Sequence, residues 1–271
     1  ALVNAVLRHL AAELEGGRPA WPDLPTELSY PDWVVARLAT DLGPARALAG
    51  MKAMNEGGSS AESQRADGYR QDPASQEVAA YVGAREGELV LDICAAPGGK
   101  ATWMASSGAA VVACDLSSSR AGLMVELTRE LNLARVEAAV ADGARPPFRP
   151  GTFDRVLVDA PCSGLGALRR RPDARWRMQP SELSRLAELQ RTLLGACIPL
   201  AKEGGTVVYS VCTLAACETT EVAEWVSAEW PSLVVLAPPS EPWVPSGPGA
   251  LRLPQEGGDG MFVAGWRVGA G

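Results

Sequence analysis

Cys162 and Cys212 stand just past two apolar runs, in Asp159-Ala160-Pro161-Cys162-Ser163-Gly164 and Ser210-Val211-Cys212-Thr213. A thiolate is a strong nucleophile. Two thiols at the ends of neighbouring strands, about 5 Å apart, could share one substrate. A free cysteine also serves as a small buried hydrophobe. That is the reading for Cys114, inside a strand, and Cys197, inside a helix. A redox pair lacks the C-x-x-C spacing. The Cys212 to Cys217 spacing matches no usual zinc knuckle, and His9, the only histidine, lies far from every motif. No metal and no histidine-based catalysis are expected.

The second stretch with chemical content is Glu88 to Lys100, ELVLDICAAPGGK. Leu89, Val90, Leu91 and Ile93 read as a buried strand. Cys94, Ala95, Ala96, Pro97, Gly98 and Gly99 then make a turn of small residues, and Lys100 begins a helix. Such a turn lets backbone groups approach a ligand closely. A P-loop would need Gly where Cys94 stands and Ser or Thr where Ala101 stands, and no G-x-G-x-x-G occurs. About twenty residues on, the strand VVACD closes at Asp115, a spacing that suits a carboxylate on a ribose diol. A plain tight turn with an unrelated Asp is the alternative.

These residues need a parallel sheet to bring them together. Strands are expected near 88–93, 110–115, 135–140, 153–159, 204–210, 232–236 and 261–268, with a helix start at Pro73 and helices near 99–106, 118–131, 181–201 and 217–230. Such alternation predicts an α/β fold, a mostly parallel sheet covered by helices on both faces. Its strands would then point their carboxyl ends, and so both cysteines and the 94–100 loop, at one crevice. Upstream, 1–14 has helical apolar spacing, 15–30 reads as a Pro- and Gly-rich linker, helices follow to about Leu42 and from Ala45 to Met54, and 55–69 reads as a flexible loop. The chain starts inside its first helix without Met, so an upstream portion is expected. Three regions result: a linker segment, 1–30; a small helical subdomain, 31–70; and the catalytic domain, 71–271.

With 271 residues, 47% of them hydrophobic, the chain can bury a sizeable core. Its net charge of −7 argues against a wholly basic nucleic-acid coat but allows a local basic patch. Six cysteines are too few for a secreted disulfide scaffold. Without a signal peptide or long apolar span, a reduced, cytoplasmic protein with no membrane contact is expected. Arg169, Arg170, Arg171, Arg175, Trp176 and Arg177 cluster just after Cys162. Arg suits phosphate and Trp can stack on a splayed base, so this segment is expected to touch RNA. A solvated charged loop is the alternative.

Taken together, LDICAAPGGKAT, DAPCSGLGALRRRPDARW and YSVCT resemble the RNA cytosine-C5 methyltransferases of the RsmB/NSUN family, and QDPASQ and DGMFVA resemble its flanking motifs. The match runs in order from about residue 71 to 268. LVNAVLRHL at the start is similar to the linker helix that follows a NusB-like domain in the bacterial small-subunit rRNA branch. The resemblance implies a Rossmann-like class I methyltransferase of seven strands, with S-adenosyl-L-methionine as donor and RNA, in that branch 16S rRNA, as substrate. Cys94 to Lys100 would hold the methionine end, Asp115 the ribose, and Asp142 would lie beside the adenine. Asp159 would face the transfer crevice and the base edge. Cys212 matches the family's nucleophile and Cys162 its second cysteine, with Lys100 a cation to help a thiol ionise. A catalytically silent assembly factor and a DNA enzyme using Cys162 are the alternatives, and a monomer is expected. The chain departs from the family at Val211, where Thr is usual, in Glu218-Thr219-Thr220-Glu221 for Glu-Asn-Glu, and at 55–70, too short for the usual RNA-binding subdomain.

Overall fold

In the computed structural model, which describes residues 2–15, 17, 21–56 and 63–269, apolar runs and Gly/Pro breaks set the elements. Helices α1 (Leu2–Glu15), α2 (Leu24–Leu28), α3 (Asp32–Leu42) and α4 (Pro44–Asn55) precede a two-stranded ribbon, β1 (Ser63–Gln64) with β2 (Arg70–Gln71). The alternating part follows: α5 (Pro73–Val82), β3 (Leu89–Asp92), α6 (Gly99–Ala105), β4 (Ala110–Asp115), α7 (Ser118–Glu130), β5 (Val136–Val140) and β6 (Phe153–Asp159). Then come α8 (Ala174–Arg177), α9 (Pro180–Cys197), β7 (Ala201–Val211), α10 (Thr220–Glu229) and four strands, β8 (Val234–Val235), β9 (Val244–Ser246), β10 (Gly249–Arg252) and β11 (Met261–Arg267).

The main sheet runs β5-β4-β3-β6-β7-β11-β10-β9, with β8 also on β11. The first five strands in that order are parallel, and β11 inserts antiparallel beside β7. The order reverses at β3, with β4 on one side and β6 on the other. Ligands bind at such a switch point, outside the carboxyl ends of the strands. The expected Rossmann-like architecture is thus present, with nine strands rather than seven. The two extra are β9 and β10, in a segment that reads as a Pro-rich loop.

Alternation along each strand splits the core between two faces. Leu91, Val156, Val158, Val207 and Tyr209 pack with Leu194 of α9 and Val226 of α10. Val90, Leu157 and Val208 pack with Val78, Met104 and Met124 of α5, α6 and α7. Cys114 and Cys197 are fully buried in the first layer. A third cluster joins α2, α3 and α4, through Tyr30, Val34, Leu38 and Met51, to Leu165, Leu168 and Leu214 of the site loops. The upstream helices therefore brace the floor of the crevice. Helix α1 buries none of its residues.

Two loop expectations change. In the segment read as a linker, Asp23 caps α2 by accepting from Thr26 N at 2.8 Å. Of the loop at 55–69, residues 57–62 lie outside the described set, but 63–71 is tied down. Arg65 is buried between the Tyr69 and Trp103 rings. Its Nη1 donates to Gly99 O at 2.8 Å and Thr102 Oγ1 at 3.0 Å.

Candidate active site

The turn after β3 is built for close approach. Gly98, at φ +111°, caps α6 in the left-handed region, which glycine enters without steric cost. A Cβ on Gly99 would press on Gln71 and Tyr69 at 3.1 Å. At the end of β4, Asp115 is buried, accepts from Ser117 N at 2.9 Å, and faces Arg120 Nε at 3.4 Å. Arg120 also donates to Ala96 O at 2.8 Å, linking the two strand ends. Asp115, Arg120, Asp142, Asp159, Pro161 and Cys162 are among the walls of a cleft of about 680 Å³. Cys94 and Ala96 join them, whereas Ala95, Pro97, Gly99 and Lys100 line a second cleft of about 290 Å³. Gly98 is in the wall of neither; the space beside it is filled by Met124 and Leu127. Its left-handed backbone shapes the turn.

Asp159 and Cys212 border both clefts. Lys100 Nζ donates to Asp159 Oδ2 at 2.7 Å, and Ser210 Oγ to Asp159 Oδ1 at 2.6 Å. Burial works against the Lys100 charge, but Asp159 outweighs it and the ammonium is held above its usual range. Cys162 Sγ lies 3.4 Å from Cys212 Sγ. Either thiol can donate across this contact; with Cys162 donating, the hydrogen bond holds the Cys212 thiol below its usual range and, together with burial, pushes Cys162 well above. Burial and the Asp159 and Asp259 charges work against a Cys212 thiolate, and Lys100 favours it. The two sulfurs are thus unequally disposed to ionise.

The flanking motifs converge here. Asp72 accepts from Ala74 N and Asp259 N, each at 2.9 Å, and Ser75 Oγ lies 3.3 Å from Lys100 Nζ. Gly166 N donates to Cys212 O at 3.1 Å, and Gly260 N to Gly166 O at 2.8 Å. A Cβ on Gly166 would fall 2.0 Å from Gly260 O, so three loops interlock there.

The arginine cluster divides. Arg171, Trp176 and Arg177 are exposed. Arg170 forms an ion pair with the buried Asp259 at the cleft, and Arg169 Nη2 donates to Pro254 O at 3.0 Å. Arg175 is a correction: it is buried, donates to Ser29 O at 3.0 Å and Asn55 Oδ1 at 2.9 Å, and lies 3.8 Å over the Tyr30 ring. It fastens α8 to the upstream helices and is not available to RNA. Arg175→Ala should cost about 2–3 kcal/mol, because a buried side chain loses its packing on Tyr30 and two part-buried hydrogen bonds. Denaturant unfolding checks this, and an unchanged midpoint would return Arg175 to the surface role.

Sequence reasoning missed Asp92 and Glu218. Asp92 is buried at the end of β3, with neither carboxylate oxygen hydrogen-bonded. Burial, then the nearby Asp159 charge, pushes it up to about 8. Glu218 is buried beneath Cys162. A polar residue on a stripe of apolar ones is the available signal, and Gln190, on the buried stripe of α9 beside Leu183, Leu186, Leu193 and Leu194, carries it.

The model of the family described as 16S rRNA methyltransferase RsmB/F matches residues 79–267. The chain belongs to the RsmB/F family. Its Bacillus subtilis relative, a probable ribosomal RNA small subunit methyltransferase B, is 40% identical over 166 residues, 59% of this chain and 37% of that protein. The ribosomal RNA small subunit methyltransferase B of Salmonella paratyphi B is 36% identical over 199 residues, covering 72% and 45%. The chain spans less than half the length of these relatives. Among solved structures, PH0851 superposes with TM-score 0.82 at 20% identity, over 92% of this chain and 70% of that one. NSun6 from Pyrococcus horikoshii, solved with SFG, gives 0.66 at 25%, over 75% and 53%. Among the described residues no His, Cys, Asp or Glu group is arranged to hold a metal, and no helix is long and apolar enough to cross a membrane.

Proposed function

We propose that this RsmB/F chain methylates C5 of a cytosine in RNA, with 16S rRNA as the substrate class and S-adenosyl-L-methionine as donor. The observation that carries the reading is the thiol pair, 3.4 Å apart, at the junction of two clefts. A single-substrate enzyme needs one cleft. A methyltransferase needs a donor side, a base side and a reacting group between them.

The donor fits the larger cleft. Asp115 offers a buried carboxylate for a ribose diol, and the orphaned Asp92 lies near Asp115 and Asp159 beneath a turn of small residues. These carboxyls suit a donor with an ammonium and a sulfonium. When bound, S-adenosyl-L-methionine supplies the electrophilic methyl group. The chain's own residues do the rest. Cys212 Sγ adds to C6 of the cytosine, which makes C5 electron-rich. Asp159, oriented by Lys100 and Ser210, holds the base edge. Release passes the C5 proton to a solvent base, re-forms the C5–C6 double bond and returns the C6–S electron pair to Cys212 Sγ. Cys162 Sγ is placed to hold the proton it exchanges with Cys212.

Incubation with labelled donor and unmodified small-subunit RNA, with DNA as control, tests the assignment. Label in RNA alone is expected, and label in DNA alone would refute it. The exposed Arg171 and Arg177 would contact phosphate. Replacing both by Ala should weaken RNA binding and flatten the log–log salt slope by about 1.4, taking ~0.7 per single-strand contact. An unchanged slope would make them a solvated surface.

A further inference from the structure

We infer that Glu218 is a positioning residue that sets the geometry of the two thiols; this rests on the reading of the pair as nucleophile and proton holder. Glu218 touches neither sulfur. Its Oε2 accepts from Ser163 N at 2.8 Å, the residue after Cys162, and from Gln190 Nε2 at 3.1 Å. Gln190 Nε2 also donates to Pro161 O at 2.9 Å, the residue before Cys162. Both neighbours of Cys162 are therefore held by one amide–carboxyl pair. On the other side, Thr213, the residue after Cys212, presents its hydroxyl 3.4 Å from Glu218 Oε1 and 2.7 Å from Ser163 Oγ. The bridge joins the two loops through side chains buried away from solvent.

Tyr209 completes it. Its buried hydroxyl lies 2.5 Å from Glu218 O and 3.0 Å from Gln190 Oε1. Nothing in methyl transfer requires a carboxyl at this depth, and an unpaired one would be costly. Burial raises the Glu218 carboxyl above its usual range, while the Ser163, Gln190 and Thr213 bonds pull it back. What the bridge provides is register. Cys162 sits in a loop flanked by Pro161 and Gly164, with no strand to hold it. Displacement of about 1 Å would remove Cys162 from proton range of Cys212, a misplacement of the kind that costs up to about a hundredfold in rate. Attack by Cys212, held by the end of β7, is slowed by loss of the hydrogen bond but persists. Release does not.

Two measurements on the whole chain test the inference. In the first, wild type, Glu218→Ala and Glu218→Gln react with unmodified small-subunit RNA and labelled donor. The ratio of covalent adduct to methylated product is read on a denaturing gel. In the second, no RNA is present: hydrogen peroxide oxidises the thiols, and the Cys162–Cys212 disulfide is followed by peptide mapping. The two thiols give up their hydrogens and the peroxide becomes two waters.

Glu218→Ala should slow disulfide formation about tenfold and raise the adduct ratio by a similar factor. Glu218→Gln, which keeps the acceptor for Ser163 N and the contact to Thr213, should stay within about threefold of wild type. A residue that only supports folding would lower product and adduct together and leave their ratio unmoved. If Glu218→Ala does not fold, Thr213→Val cuts the bridge from the Cys212 side and takes the same readouts. Unchanged crosslinking and an unchanged ratio overturn the inference. If wild type gives neither adduct nor methylated RNA while crosslinking still falls in Glu218→Ala, the methyl-transfer reading fails and the positioning role stands.

Discussion

Replacing Cys212 by Ala is expected to abolish both methylation and any covalent RNA adduct, and replacing Cys162 by Ala to trap the adduct. The asymmetry follows from the hydrogen bond within the pair, which outweighs burial and the Asp159 and Asp259 charges at Cys212. Lys100 and the Cys162 S–H favour a thiolate on Cys212, whereas Cys162 is pushed up. Only one sulfur can occupy C6 at a time. On a denaturing gel Cys162→Ala should give a slower, RNA-linked band that does not decay. The reverse pattern would move the nucleophile to the Pro-Cys position, as in DNA enzymes. The same hydrogen bond predicts a pH dependence. Alkylation of Cys212 should rise with pH below the free-thiol value of about 8.5. In Cys162→Ala the lost S–H donor should move that rise to higher pH. A rise at the same pH in both proteins would remove the hydrogen bond as its cause.

Asp115→Ala should weaken donor binding about ten- to a hundredfold, since a buried carboxylate that accepts from a ligand diol is worth about 1.5–3 kcal/mol. Calorimetry with S-adenosyl-L-methionine measures it, and circular dichroism checks that the fold is intact. Asp142 is the internal control. It is exposed and its Oδ1 already accepts from Ala144 N at 2.9 Å, so Asp142→Ala should cost less. Equal losses in both would mean that the cleft is not read by a carboxylate at the end of β4. Unchanged binding in Asp115→Ala would remove the ribose role altogether.

The strands that carry the site were legible because their apolar runs are short, continuous and bounded by turn residues. The expected bounds at 110–115 and 153–159 are those of β4 and β6. β9 was not legible for a physical reason. Pro245 cannot donate to a ladder, which is tolerated because β9 pairs only with β10 at the sheet edge. The ribbon at 63–71 is polar and carries no strand pattern; what orders it is Arg65, whose partners lie on α6. Within the site, the motifs placed Cys162, Cys212, Asp159 and Lys100 at one crevice by strand order alone. Their distances, and the bridge through Glu218, depend on contacts between residues far apart in sequence. Arg175 shows the limit most directly. In sequence it is one of five arginines in a basic run, and only the tertiary fold buries it under Tyr30.

The interlock at Gly166 bears on when the site comes into being. Gly166, Cys212 and Gly260 belong to three separate loops, and the last precedes β11, which must insert between β7 and β10 before Gly260 can reach Gly166. Contacts of such long sequence separation carry a large loop-closure entropy and form late. The Glu218 bridge needs only β6, β7 and the segment up to Glu218, so the two thiols can be set while the third loop of the interlock waits for β11. What the antiparallel edge adds on arrival is the far wall of the crevice, where Asp259 meets Asp72 and Arg170.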